Sequence, residues 1–305
     1  MKIRKTTSAT LAALGAMIIF GFSFMFTKIS LGYASPLTVI ADRYMVAFAG
    51  MTLVMLFTKI KLRLNKNVWK LVLMSLFQPV LYFVFESYGI AMTTSAFSSV
   101  MISLIPVVSM ISGIFVLREI PSPMQYVFSA MSVAGVALMA VTGKADGTVT
   151  GAGIILLFGA VLSSVAYNIS SRKISAEFSA FERTYAMTLI GLIVFGAIAL
   201  AENIKNPVLV VSAFSNVKFT WSVVYLGFVS SVIAFVLLNY ANTHLPVAKT
   251  TVFSNITTVV SVLAGVIFLN EKLTLQSGIA AVMIICGVWG VQVLNVKNIN
   301  KGDVL

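Results

Sequence analysis

Between Leu11 and Leu294 the chain passes through one apolar stretch after another, each close to the roughly 20 residues an α-helix needs to cross the hydrocarbon of a bilayer. Ten are predicted: Leu11–Ile29, Leu37–Thr58, Val68–Ile90, Ser95–Leu117, Met124–Val141, Ala152–Ser170, Tyr185–Ala201, Phe219–Tyr240, Val247–Leu269 and Leu275–Leu294. With 59% hydrophobic and 10% charged residues among 305, the chain departs far from the roughly 45–50% and 25% of soluble domains. Water could not hide that many apolar side chains, so the medium is lipid. Nothing is left over for a soluble domain. The opening MKIRKTT looks like the start of a signal peptide, but Leu11–Ile29 exceeds the roughly 7–15 residues of a signal's apolar core and leads straight into more spans. It reads as a retained first span.

The joints are short and carry breakers or charge: Ala34-Ser35-Pro36, Lys59 to Lys66, Glu119-Ile120-Pro121, Gly143 to Gly147, Asn203 to Pro207. The net charge of +12 does not point to nucleic acid in so apolar a chain, because Lys and Arg also mark the cytoplasmic ends of membrane helices. With the N-terminus inside, Lys59, Lys61, Arg63, Lys66, Lys70, Arg118, Arg172, Lys173, Arg183 and Lys249 join the basic termini on the cytoplasmic face. The outside keeps Lys28, Lys144, Lys205, Lys218 and Lys272. That bias predicts a multi-pass protein of the cytoplasmic membrane with both ends cytoplasmic.

VVSMISGIFVLRE, Val107 to Glu119, recurs as VVSVLAGVIFLNE, Val259 to Glu271. At the same offset Tyr88 matches Tyr240, Ala96 matches Ala248, Met131 matches Met283, and Gly135-Val136 matches Gly287-Val288. The copies end spans four and nine. Five spans separate them, and five is odd, so the halves cross the bilayer in opposite directions. An inverted repeat of this kind is the architecture of many secondary transporters. The expected fold is all-α and integral to the membrane, ten helices in two inverted five-helix repeats, 9–142 and 151–295, around a central cavity. Ser109-xxx-Gly113 and Ser261-xxx-Gly265 put small residues on one helical face, and spans four and nine are expected to pack there. Glu119 and Glu271 fall just beyond the helix ends, near the N-terminus of the next helix, where negative charge is favoured.

The sequence resembles the drug/metabolite transporter superfamily, in the ten-helix form built from two EamA domains. The resemblance covers about Leu11–Val141 and Ala152–Leu294. Its carriers are Ala96, Ser98 and Ser99 opening span four, Pro106, Gly113, Glu119 and Gly135-Val136, with Ala248, Gly265, Glu271-Lys272-Leu273-Thr274, Gln276, Gly278 and Gly287-Val288 in the second half. Phe20-Gly21 stands where the family usually has Trp-Gly, and Thr258 stands opposite Pro106. The resemblance implies a transporter from a broad group: exporters of amino acids and other metabolites, and carriers of sugars and nucleotides.

Charged side chains within spans are costly in lipid and mark function by default. Glu86, in LYFVFESYG, is the first candidate for proton coupling and Asp42 the second. The Asp42-Arg43 pair also has a plain reading as a local ion pair or as snorkelling at the outer interface. Lys249 is a candidate contact for an anionic substrate group, or an ordinary interfacial lysine. Gln78 and Tyr82 share a helical face, beside Pro79, whose irregular backbone is tolerated at this depth chiefly where protein or a watery cavity receives it. Ser103, Ser164, Asn168, Asn239 and Asn255 complete the expected substrate-binding set, each with an interhelical hydrogen bond as its alternative. Phe22, Phe24, Phe83 and Phe85 could line an apolar pocket or simply pack.

One cysteine, Cys286, gives neither an intrachain disulfide nor a cysteine metal cluster, and the 15 methionines lack ligand spacing. No metal or cofactor is expected, and no GxxxxGK[ST] phosphate loop is present. The expected function is secondary transport of a small polar metabolite, most simply export or exchange of an amino acid, with protons as a candidate second partner. Two fused halves make a complete pathway in one chain, so it is expected to work as a monomer. The alternative is a polytopic membrane enzyme acting on a lipid-linked substrate. Such an enzyme needs convergent acid, base or metal groups, which one His and nine acidic residues offer poorly.

Overall fold

In a computed structural model, residues 2–60, 62, 67–116, 119–120, 122–145, 149–205, 212–245, 253–271, 274–293 and 297–298 are described. The chain is a bundle of ten spans. Span one is Lys2–Ser30, span two Pro36–Thr58, and span three runs through Val68–Ser75, Leu76–Leu81 and Tyr82–Ala91. Span four is Ser95–Ile102 and Ile105–Val116, span five Pro123–Ala145, span six Gly151–Ile174 and span seven Ala180–Glu202. Span eight runs through Val217–Val224, Tyr225–Ala234 and Phe235–His244; span nine is Ser254–Leu269 and span ten Leu275–Val293. Eight of these are long and apolar enough to cross a membrane, and the shorter Ile256–Leu269 and Leu275–Val291 complete the set.

Polar side chains set the helix starts, where the first N–H groups have no partner within the helix. Ser35, Thr94, Thr150 and Ser179 each accept a backbone N–H from the first turn. At Ser179 the partner Glu182 reaches back to the Ser179 N–H, a reciprocal capping box.

The inverted repeat is visible in which spans touch. Span five packs on ten, two on seven and four on nine, each against its own counterpart. The other contacts come in matched sets: one on nine with six on four, one on eight with six on three, two on eight with seven on three. A two-fold axis in the membrane plane requires this pattern.

The repeated glycines show the same symmetry at atomic scale. A Cβ on Gly135 would lie 2.7 Å from Ile284 Cγ1 and 2.9 Å from the Ala280 carbonyl; one on Gly287 would lie 2.6 Å from the Phe128 carbonyl and press on Ser132. Ala280 and Ile284 are the repeat partners of Phe128 and Ser132, so both glycines bring spans five and ten into backbone contact. In lipid, such close approach is what holds two helices together. Gly287→Val is expected to lower stability by roughly 1–3 kcal/mol through overpacking, read as an earlier thermal transition of the purified protein in detergent, with ligand binding in the cavity kept.

The described ends of loops one–two, three–four, five–six, seven–eight and nine–ten lie together on one face, here called the odd face. Lys28 Nζ donates to the Ile90 carbonyl (2.8 Å), Thr150 N to the Met92 carbonyl (3.2 Å), and Ser35 Oγ to Glu202 Oε2 (3.4 Å). On the opposite face, Lys70 Nζ pairs with Glu177 Oε1 at 2.5 Å and Asn67 Nδ2 donates to Glu177 Oε2 at 2.7 Å, joining span three to the six–seven loop. There too Glu119–Ile120 pairs antiparallel with Lys297–Asn298, so the C-terminal segment and the four–five loop share a face.

Two expectations for the repeated ribbon are corrected. Spans four and nine meet, but the Ser261–Gly265 face rests on the start of span four, where Ser261 Oγ donates to the Ser95 carbonyl at 3.4 Å. Antiparallel helices from inverted halves put the end of one beside the beginning of the other, so the two small-residue faces do not pair. Ser109 is half-buried, and the surroundings of Gly113 lie outside the described side chains. Glu271, in turn, caps span four of the other half, not the helix that follows it: its carboxylate accepts from Ser95 N at 2.8 Å and Ala96 N at 3.0 Å.

Candidate substrate cavity

Irregular backbone opens the middle of the bundle. In span three, Gln78 leaves the helix with φ −145° and ψ 114° just before Pro79, which has no N–H to give and whose ring crowds the preceding turn. Span eight, the counterpart of span three, is wound as a π-helix over Tyr225–Ala234. Loosened helices at matching places in the two halves point to a binding site in this architecture. Span four breaks at Ser103-Leu104, before Pro106.

Between these breaks lies a cavity of about 830 Å³, counting space open to solvent. Spans one, two, three, four, six, eight and nine form its wall, so both halves contribute. The apolar part comes from Met17, Phe20, Phe24, Phe83, Ile102, Ile105, Phe235 and Leu238, and the polar part from Ser23, Arg43, Gln78, Tyr82, Glu86, Ser99, Ser103, Ser164, Asn168, Ser230, Asn242 and Thr257. A mostly apolar concavity with a few placed polar groups is the usual form of a small-molecule site.

Arg43 is the feature that sequence reasoning missed. It is 4% exposed; Nε donates to Ser231 Oγ at 2.7 Å and Nη2 to Ser230 Oγ at 3.0 Å. Ser230 Oγ also accepts from Ser23 Oγ at 2.8 Å, which ties in span one. The π-type turns of span eight let two consecutive serines face one guanidinium, whose carbon lies 4.1 Å from the centre of the Phe83 ring, a cation–π contact. No acidic group pairs with Arg43 among the described residues, and Nη1 has no protein partner there. A guanidinium carries five N–H donors, so donors remain for a guest.

Glu86 stands in the same wall, 6% exposed, with Oε1 accepting from Tyr82 OH at 2.8 Å. One turn of helix separates the two residues. Ser99 and Ser103 donate to the Ala96 and Val100 carbonyls of their own helix, at 2.8 and 2.6 Å. Their lone pairs remain for a donor in the cavity. One buried cation and one buried carboxylate thus share a cavity without pairing, and in a low-dielectric interior that separation carries a strong field.

Of the expected binding residues, Gln78, Tyr82, Ser103, Ser164 and Asn168 line this cavity, and so does Glu86. Asn239 does not. It is fully buried, with Oδ1 accepting from Tyr167 OH and Ser171 Oγ, both at 3.0 Å, and Nδ2 donating to Thr184 Oγ1 at 3.0 Å. Its amide is turned to joining spans six, seven and eight. Asp42 is buried but outside the cavity wall, and its Oδ2 has no partner. The expected ion pair with Arg43 is absent, because neighbours on a helix point apart and Arg43 turns toward span eight. Snorkelling is ruled out by the burial of both. Lys249 lies outside the described residues, as does the side chain of Asn255. Among the aromatic candidates, Phe24 and Phe83 reach the cavity; Phe22 and Phe85 do not.

The model of the EamA-like transporter family matches residues 7–141 and 151–293, nearly the whole chain in two copies. The chain belongs to that family. Consistent with it, an "Uncharacterized transporter YcxC" of Bacillus subtilis (strain 168) is 34% identical over 290 residues, covering 93% of this chain and 92% of the relative. An "Uncharacterized transporter" of Archaeoglobus fulgidus is 24% identical over 270 residues, covering 88% of this chain and 93% of its own. A solved crystal structure at 20% identity superposes with a TM-score of 0.68 over 94% of this chain and 98% of that one, a likeness of fold. The protein is thus a multi-pass membrane transporter of the EamA type, and the cavity between its two EamA repeats is the candidate site of transport.

Proposed function

We propose that this EamA-type transporter is a secondary carrier that exports or exchanges a small polar metabolite bearing a carboxylate, an amino acid being the type, by alternating access across the cytoplasmic membrane. In this reading the chain works as a monomer with both termini in the cytoplasm. The observation that carries it is Arg43: a buried guanidinium with donors to spare, in a cavity built by both halves, and with no acid paired to it among the described residues. A carboxylate from the substrate supplies the missing partner through charge-assisted hydrogen bonds. Gln78, Ser103, Ser164 and Asn168 offer amides and hydroxyls to the rest of the molecule. Glu86, held by Tyr82 alone, is the group that exchanges a proton during the cycle.

Counterflow in vesicles containing the purified protein tests this. Amino acids on the trans side are expected to accelerate uptake, whereas the corresponding decarboxylated amines are not; equal acceleration by the amines refutes the carboxylate, and flux without saturation or trans-stimulation refutes a carrier. Glu86→Gln is expected to abolish gradient-driven transport while sparing counterflow. Driven transport that survives the substitution removes Glu86 from the coupling step.

A further inference from the structure

At the odd face one carboxylate crosses from the second repeat into the first. Span nine ends on Asn270, whose left-handed backbone (φ 54°, ψ 32°) folds the chain back, so that Glu271 N donates to the Gly265 carbonyl at 3.1 Å. This reversal is a usual helix stop. It aims the Glu271 carboxylate at the first turn of span four, where Oε1 accepts from Ser95 N at 2.8 Å and Oε2 from Ala96 N at 3.0 Å. Phe97 N donates to Thr94 Oγ1 at 3.0 Å and Ser98 N to the Thr94 carbonyl at 3.0 Å. Every N–H of that first turn is therefore satisfied, two of them by a residue from the other half.

Gly265 is the room for this contact. A Cβ there would lie 2.5 Å from Glu271 Oε2 and 3.0 Å from Ser95 Oγ. Lys28 stands at the same corner, with Nζ donating to the carbonyls of Ile90 and Thr93, and its charge attracts Glu271. The remaining polar contacts between spans four and nine among the described residues are long: Ser261 Oγ to the Ser95 carbonyl and Thr258 Oγ1 to the Ser99 carbonyl, both at 3.4 Å. The side chains there are small, and lipid adds no apolar drive between helices. The charged contact is therefore the strongest bond across this seam.

The seam bounds the cavity. Ser99, one turn deeper along span four than Ser95, lines it, and so does Thr257 of span nine. Spans four and nine are walls from opposite repeats, and separating them at this end would uncover the cavity. We propose that Glu271 is the latch of the odd face: its carboxylate clamps the first turn of span four, and the cavity opens to that face when the clamp lets go.

This rests on the alternating-access reading, and the test keeps the two apart. Cys286 is the one native cysteine, and it is exposed. In a Cys286→Ser background, Ser99→Cys places a thiol in the cavity, and a membrane-impermeant maleimide added at the odd face reports opening there. Glu271→Gln is expected to speed labelling about tenfold, the size of one charged hydrogen bond lost. Gly265→Ala, which keeps the acid but crowds it out of place, is expected to do the same. Labelling from the opposite face shows that each variant is folded. Unchanged odd-face labelling in both variants overturns the latch and leaves the carrier standing, as does a drop in thermal stability with no change in labelling. The carrier itself falls only with the counterflow assay, where flux without saturation or trans-stimulation overturns it whatever the labelling shows.

Discussion

Arg43→Gln is expected to bring carrier-mediated counterflow down by about two orders of magnitude, the equivalent of roughly 3 kcal/mol of charge-assisted hydrogen bonding. The guanidinium spends Nε and Nη2 on Ser231 and Ser230 and rests on the Phe83 ring, which fixes its plane and leaves Nη1 for the substrate. Glutamine keeps a polar group but loses both the charge and the reach. Arg43→Lys keeps the charge and loses the fork, so an intermediate rate is expected, because an ammonium cannot hold two serines and a carboxylate in the same plane. The fold should survive both changes. A buried cation without an acid partner costs desolvation energy, and Ser23 already donates to Ser230 without help from the arginine. Stability of Arg43→Gln is therefore expected to be unchanged or raised, and a thermal transition measured beside the flux separates lost function from lost fold. Counterflow that persists in Arg43→Gln would take the anion site away from this residue.

Much of the architecture was legible because lipid imposes simple rules. Span length, charge bias and the odd number of spans between two copies of one ribbon are enough for ten helices in inverted halves. The break in span three was legible too, because Pro79 announces it. The π-type winding of span eight has no such marker: Tyr225 to Ala234 holds no proline, and the winding shows only where Ser230 and Ser231 both face Arg43. Arg43 was missed for the same reason. Counting from Pro36 puts it near a helix end, where an arginine reaches the headgroups, but span eight lies across it and seals it in. Asn239 misled in the opposite sense. Its depth suits a ligand, and only the fold reveals that Tyr167 and Ser171 saturate its oxygen and Thr184 takes one of its N–H groups. Polarity and depth can be read along a chain; the partner that saturates a polar group is chosen by a helix far away in sequence. Gly265 makes the same point. Its spacing from Ser261 suggests helix packing, whereas its missing side chain makes room for the returning Glu271.

Two arginines are buried among the described residues, and the contrast between them predicts the second large effect. Arg183 has every donor engaged: Nε to the Ser179 carbonyl (3.4 Å), Nη1 to the carbonyl and hydroxyl of Ser171 (3.1 and 2.7 Å), and Nη2 to the Asn239 carbonyl and Thr243 Oγ1 (3.0 and 2.7 Å). Five N–H groups of this span-seven residue meet five acceptors on spans six and eight and the turn before span seven, with none left for a guest. Arg43 holds donors in reserve at the cavity, whereas Arg183 is a rivet. Arg183→Met is expected to cost roughly 3 kcal/mol or more, since it removes several charged hydrogen bonds and strands buried acceptors. The readout is a much lower thermal transition in detergent and a poor yield of folded protein. Thr243→Val, which withdraws a single acceptor, should cost about 1 kcal/mol and leave counterflow intact. If Arg183→Met instead folds with undiminished stability and stops transport, Arg183 belongs with Arg43 in the pathway, and the division between a binding arginine and a structural one fails.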